Sequence, residues 1–199
     1  MRISLENRLP YTTLTLLVLV AFYGVYFAKV LAQKQRGIQT RQIGRRKEKS
    51  IHTVEVLMSI ATLGAPIAQL ISVAFGWNHL PAGVRLTGFC VGMLGDTIFL
   101  LSVLCMKDSW RAGIPDKDKT ELVTTGIYRF SRNPAFLGFD LMYVGVLLLY
   151  GNLLSLSFSV FAIVMLHLQI LQEKRYLVNT FGAQYQEYCR HVFRYLGRK

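Results

Sequence analysis

The sequence predicts an all-α polytopic membrane protein with five transmembrane helices, the last two forming a helical hairpin. Three observations predict it. Of 199 residues, 52% are hydrophobic and only 17% are charged, against about 25% charge in a soluble domain. The apolar residues fall in five long blocks rather than in scattered positions. The 23 Lys and Arg residues, against 11 acids, gather in alternate loops between those blocks. Such hydrophobicity excludes disorder. Three cysteines, Cys90, Cys105 and Cys189, without a C-x-x-C pair, argue against a disulfide scaffold or a cysteine zinc site.

Each block is justified by length. About 20 residues at about 1.5 Å rise cross a hydrocarbon core. Residues 11–32 carry one charge, Lys29. This block is too long for a signal-peptide core, and the basic loop behind it would resist translocation. Residues 54–75 are interrupted only by Pro66 and single polar residues, and residues 86–106 contain one acid, Asp96. Residues 135–150 are short. Residues 153–171 end near His167 and Gln169, and Tyr150-Gly151-Asn152 reads as the tight turn between the last two helices. The whole is one integral-membrane domain: three N-terminal helices over 1–106, then a second half over 107–199 with loop, hairpin and tail.

The loops set orientation. Residues 33–50 hold Lys34, Arg36, Arg41, Arg45, Arg46, Lys47 and Lys49. Residues 107–133 hold Lys107, Arg111, Lys117, Lys119, Arg129 and Arg132, and the tail adds Lys174, Arg175, Arg190, Arg194, Arg198 and Lys199. The turns at 77–85 and 150–152 carry only Arg85. Five crossings then put the N-terminus outside and the C-terminus in the cytoplasm. The basic charge is thereby a topology signal and requires no nucleic acid. No N-x-Ser/Thr site occurs, which favours a bacterial inner membrane over endoplasmic reticulum.

The remaining polar residues suggest roles. Gly88, Gly92 and Gly95 mark a close helix approach. Arg132-Asn133-Pro134 reads as a capped helix start, with Pro134 in the first turn. Gln169 and Glu173 are four apart and share a face, with His167 on another. The hairpin brings Arg132 at one base towards Glu173 at the other, so an ion pair beside a cytoplasmic opening is expected. Asp140, one turn after Phe136, faces either the same cavity or a neighbouring helix. Asp96 is expected to make a helix-packing contact, Glu55 to be solvated, and His167 to bond between helices. No residue set has metal-ligand spacing, so no metal is expected.

Leu122-Val123-x-x-Gly126-Ile127-Tyr128 is followed by Arg132-Asn133-Pro134-x-Phe136-x-Gly138. Glu173-Lys174-x-x-Leu177, Phe181-Gly182, Tyr185 and Tyr188 come later. In this order the three strings resemble the isoprenylcysteine carboxyl methyltransferase family of integral membrane enzymes, relatives of the phospholipid N-methyltransferases. The likeness spans roughly residues 107–195. It implies S-adenosylmethionine as methyl donor, in a cavity open to the cytoplasm. Leu122, Val123, Tyr128, Asn133, Pro134, Ala135, Phe136 and Glu173 would bind it, with Arg132 and Asn133 at the reacting centre. Gln169, Trp110, Arg111 and Asp140 would meet the acceptor.

This chain departs from the family pattern in four places. Asn133 replaces the histidine of the family's Arg-His-Pro string and cannot titrate. Phe136 replaces a tyrosine. Gln169 stands where the prenylcysteine enzymes carry an arginine, and Arg111 is the candidate substitute cation. The family's pair of acids is reduced to Glu173. The function expected is methyl transfer to a lipophilic acceptor entering from the bilayer. A carboxylate is favoured because an ionised acceptor needs no general base. The alternatives are a phospholipid amine, a small thiol, or a non-catalytic scaffold of the same fold. No obligate protein partner is expected.

Overall fold

A computed structural model describes residues 5–40, 42, 48–113 and 121–198. Of the basic loop residues, Arg41, Arg45, Arg46, Lys47, Lys117, Lys119 and Lys199 lie outside the described residues. Five helices follow in order: α1 (Leu5–Gln35), α2 (Lys49–Phe75), α3 (Ala82–Met106), α4 (Pro134–Leu149) and α5 (Leu153–His191). Among the described residues there is no strand, only one isolated bridge from Val192 to Arg198. Four helices are long and apolar enough to cross a membrane, and α4 is a shorter apolar helix of 16 residues. At 1.5 Å rise α4 spans about 24 Å, less than the usual core.

Helix α4 folds back on α5 through the turn at 150–152, as the sequence predicts, yet it packs chiefly along α3. The glycines explain this. A Cβ on Gly145 would lie 2.4 Å from the Gly92 nitrogen, and one on Gly95 would lie 2.7 Å from the Gly138 carbonyl oxygen. Such backbone approach admits no side chain. It lets the short helix be shielded by its neighbours. Helix α5 packs along α2, and α1 closes on α3, where Phe22 stacks on Phe99 with centroids 4.4 Å apart.

Polar groups inside this bundle are mostly spent on structure. Pro66 has no N–H, so the carbonyl of Thr62 loses its helical donor; the Tyr143 hydroxyl lies 3.5 Å from it. Arg85 starts α3 beneath two rings, 3.6 Å from the Tyr11 centroid and 4.9 Å from Tyr150, and its Nε donates to the Leu149 carbonyl. Asp96 is buried as expected of a packing residue, but neither carboxyl oxygen has a hydrogen-bond partner. Glu55 departs from expectation: it is 0% exposed rather than solvated. Helix α2 begins at Lys49, earlier than the apolar block, so Glu55 falls on its second turn facing α5, within electrostatic reach of Glu173.

Helix α5 does not end where its apolar block ends. It runs to Phe181, breaks at Gly182 (φ 50°, ψ −124°), and resumes to His191. That conformation is open almost only to glycine. The tail beyond then straps the base of α4. Arg132 N donates to the Phe193 carbonyl and Gly197 N to that of Phe130, and Tyr195 meets His167 Nδ1 on α5.

Candidate functional site

The polar strings converge at the end of the bundle where the basic loops lie. The loop from α3 to α4 enters it first. Trp110 is buried, and its carbonyl accepts from Gln33 Nε2 on α1 at 2.9 Å. Ala112 pairs through its backbone with Thr40 and Gln42. Arg111 Nη1 donates to the Asp108 and Trp110 carbonyls. After Thr125 a short 3-10 turn, Gly126–Arg129, presents Tyr128, and Pro134 starts α4.

Asn133 holds the N-cap position, but its side chain makes no capping bond. Its Nδ2 donates instead to the Arg194 carbonyl at 2.9 Å, tying the tail to the start of α4. The expected ion pair is also absent among the described residues. Arg132 Nη1 contacts Cys189 Sγ while its Nε has no partner, and Glu173 Oε1 accepts from Gln169 Nε2 at 3.3 Å. The break at Gly182 turns the end of α5 inward, so that the Tyr188 hydroxyl donates to the Tyr128 carbonyl at 2.6 Å. Burial pushes the Tyr128 phenol well above its ordinary range, with Tyr188 and Glu173 adding to the rise.

Two cavities result. The first, about 130 Å³, is lined by Arg132, Asn133, Leu122, Val123, Tyr128, Ala135, Phe136, Glu173 and the aromatic residues Tyr176, Phe181, Tyr185 and Tyr188. The second, about 210 Å³, runs between α1, α2 and the α4–α5 hairpin, walled by Tyr26, Phe27, Met58, Leu63, Phe139 and Leu166, with Gln169. Trp110, Arg111, Gly113, Ala135, Phe136 and Glu173 line both.

Nearly every residue expected at the site is therefore brought together. Pro134 and Asp140 line neither cavity. Pro134 is buried in the first turn of α4, and Asp140 lies within electrostatic reach of Tyr195 in the tail. Sequence reasoning missed the walls from α1 and α2, which carry no motif. The spacing of Tyr23, Tyr26 and Phe27 on one face of α1 was the signal available. Among the described residues no group of His, Cys, Asp or Glu could hold a metal ion.

The site is thus a polar, aromatic cavity at the ends of apolar helices, sharing a wall with an apolar cavity inside the bundle. Residues 87–184 match the family described as phospholipid methyltransferase. Over those 98 of its 199 residues the chain is similar to this methyltransferase family. It is 39% identical over 72 residues to a protein-S-isoprenylcysteine O-methyltransferase of Schizosaccharomyces pombe. It is 41% identical over 72 residues to that of Saccharomyces cerevisiae. Each alignment covers 36% of this chain and 30% of the yeast protein. A probable protein-S-isoprenylcysteine O-methyltransferase of Oryza sativa subsp. indica is 30% identical over 112 residues, 55% of this chain and 59% of its own length. The chain thus spans about a third of the length of the yeast relatives it matches.

Proposed function

We propose that the chain is an S-adenosylmethionine-dependent methyltransferase acting on a lipophilic acceptor, with a carboxylate as the reacting group. The observation that carries this reading is the shared wall: one cavity at the basic-loop end meets one inside the apolar bundle at Trp110, Arg111, Ala135, Phe136 and Glu173.

The residues of the first cavity suit the donor. Glu173 offers a carboxylate to its positive groups. Tyr176, Phe181, Tyr185 and Tyr188 offer ring faces to a sulfonium and to adenine. Arg132 Nε is a buried N–H without a partner, fitted to the donor's carboxylate. When bound, S-adenosylmethionine supplies an electrophilic methyl group. The chain's part is alignment: Phe136 and Ala135 set the gap between the cavities, Arg111 attracts an anionic acceptor, and the rings exclude water. Asn133 orients the tail over the cavity and exchanges no proton. Asp140 acts through the tail rather than on the acceptor, and Pro134 through the start of α4. The basic loops and tail support a cytoplasmic donor site and an outside N-terminus. The host membrane in this reading is a bacterial inner membrane.

Equilibrium binding of S-adenosylmethionine to the detergent-purified chain tests this, with Glu173→Gln beside it. Saturable binding is expected, weakened at least tenfold by the substitution, about the worth of a charged hydrogen bond. A folded wild-type sample that does not bind overturns the reading.

A further inference from the structure

Most large apolar side chains left exposed lie within the five apolar blocks, where lipid covers them. Three at the basic-loop end lie outside the blocks: Phe130 is 55% exposed, Phe193 44% and Leu196 70%. They belong to one folded unit. Val192 and Arg198 pair as an isolated bridge, and Phe193 N donates to the Gly197 carbonyl at 3.0 Å, so residues 192–198 form a tight reversal. Gly197 N donates to the Phe130 carbonyl at 2.7 Å and Arg132 N to that of Phe193 at 3.1 Å, which fixes the reversal as a strap against the approach to α4.

The tip of the reversal sets its depth. Tyr195 stacks on His167 with ring centroids 6.0 Å apart, and its hydroxyl meets His167 Nδ1. It also lies within electrostatic reach of Asp140. His167 is inside the last apolar block, and Asp140 is six residues, about 9 Å, beyond the first residue of α4. The strap therefore lies beside the membrane-spanning hairpin and not out in the aqueous phase. An amphipathic segment at that level buries its apolar side chains about 5–10 Å into the boundary between headgroups and acyl chains. The charge of the strap selects the lipid. Arg129, Arg194 and Arg198 are interleaved with the three apolar residues, and residues 122–139 and 188–199 contain no acid. Among the described residues none of these arginines is in an ion pair. A guanidinium takes a phosphate through two parallel N–H bonds, and a net anionic headgroup offers that phosphate without a cation beside it.

We propose that the strap is a binding surface for anionic phospholipid: Phe130, Phe193 and Leu196 insert among the acyl chains while Arg129, Arg194 and Arg198 take headgroup phosphates. Zwitterionic lipid carries the same phosphate but holds an ammonium against it, and attracts the arginines less. Each cation near an anionic surface is worth about fivefold in the binding constant. The effect reaches the first cavity. Asn133 Nδ2 donates to the Arg194 carbonyl and Arg132 N to that of Phe193, and both residues line that cavity. Lipid that binds the closed strap therefore also holds this part of the cavity wall, by mass action on the closed form. The surface is the same whatever the cavity binds.

Amide hydrogen exchange tests this in the full-length protein without a methyl donor. The two conditions are nanodiscs of pure phosphatidylcholine and of pure phosphatidylglycerol with the same acyl chains. The amides of Phe193 and Gly197 are expected to exchange at least about tenfold more slowly in phosphatidylglycerol. Replacing Arg129, Arg194 and Arg198 together by glutamine should bring the two lipids within about twofold. Replacing the same three by lysine keeps the charge and should retain the order. Leu196→Ser, which removes an apolar anchor, should speed exchange of the strap in both lipids. Equal wild-type exchange in the two lipids overturns the proposal. A difference that survives the glutamine substitutions, in a chain whose α3 and α4 amides stay protected, overturns it too. So does slowing by inorganic phosphate added to phosphatidylcholine discs, because the surface would then read a free anion and not a lipid.

Discussion

Tyr188 closes the first cavity through a single hydroxyl, donated to the Tyr128 carbonyl at 2.6 Å with the Ser131 carbonyl 3.3 Å away. Tyr188→Phe keeps the ring and removes that tie. A loss of about 1 kcal/mol is expected, read as a roughly fivefold weaker S-adenosylmethionine affinity with little change in thermal stability. Tyr128 gives a pH signature. Its phenol is raised by burial, so the folded form holds its proton above the ordinary value of about 10. Its contribution is then fully present below that pH and falls as pH rises beyond it, because the unfolded chain ionises first. Tyr128→Phe should flatten the alkaline fall in stability, measured by thermal unfolding between about pH 9 and pH 11. Gln169 with Glu173 was legible in the sequence, since four residues on a helix fix a shared face. Asn133 was not: its partner is a carbonyl 61 residues away, and no local pattern encodes a strap.

At the scale of elements, glycine decides two boundaries. Gly182 holds φ 50° and ψ −124°, with no heavy atom within 4 Å of a would-be Cβ, so a side chain there meets strain and not collision. Gly182→Ala is expected to cost about 1–3 kcal/mol and to weaken donor binding, by straightening α5 and withdrawing Tyr185 and Tyr188. Gly145→Ala meets backbone atoms of α3 instead, 2.4 Å away at Gly92 nitrogen. Overpacking of this kind costs about 1–3 kcal/mol or more, and should appear as a lower unfolding temperature with donor affinity per folded molecule preserved. The five helices were readable because hydropathy over about 20 residues is a strong signal. The continuation of α5 past its apolar block was marked by an amphipathic run from Glu173 through Phe181, Tyr185 and Tyr188, but its break at Gly182 was not legible, since the inner face beyond it packs on residues from a distant loop. The burial of Glu55 escaped for a similar reason: proximity to a helix start says nothing of which neighbour covers it.

In the proposed reading the whole molecule brings a polar ligand and a lipophilic one together at a wall whose six residues line both cavities. The orientation proposed from the basic loops, N-terminus outside, is checked in a chain whose three cysteines are replaced by serine. A membrane-impermeant maleimide should label His79→Cys from outside intact cells, and Gln186→Cys only after the membrane is opened. The shared wall makes a stricter demand. Ala135 is its smallest side chain, lies beside Phe136 in the first turn of α4, and lines both cavities. Adding two methyl groups there, as Ala135→Val, removes little volume from either cavity but spreads their contents apart. Reactions between aligned groups fall about a hundredfold for a displacement of about 1 Å. Donor and acceptor affinities should therefore each change by less than about threefold, while the rate of methyl transfer falls far more, about a hundredfold. Single-turnover transfer measured beside the two binding constants decides it. Equal losses in rate and in one affinity would mean that residue 135 serves one ligand and not the gap between them. The coupling of the two cavities would then have to lie with Phe136 and Glu173.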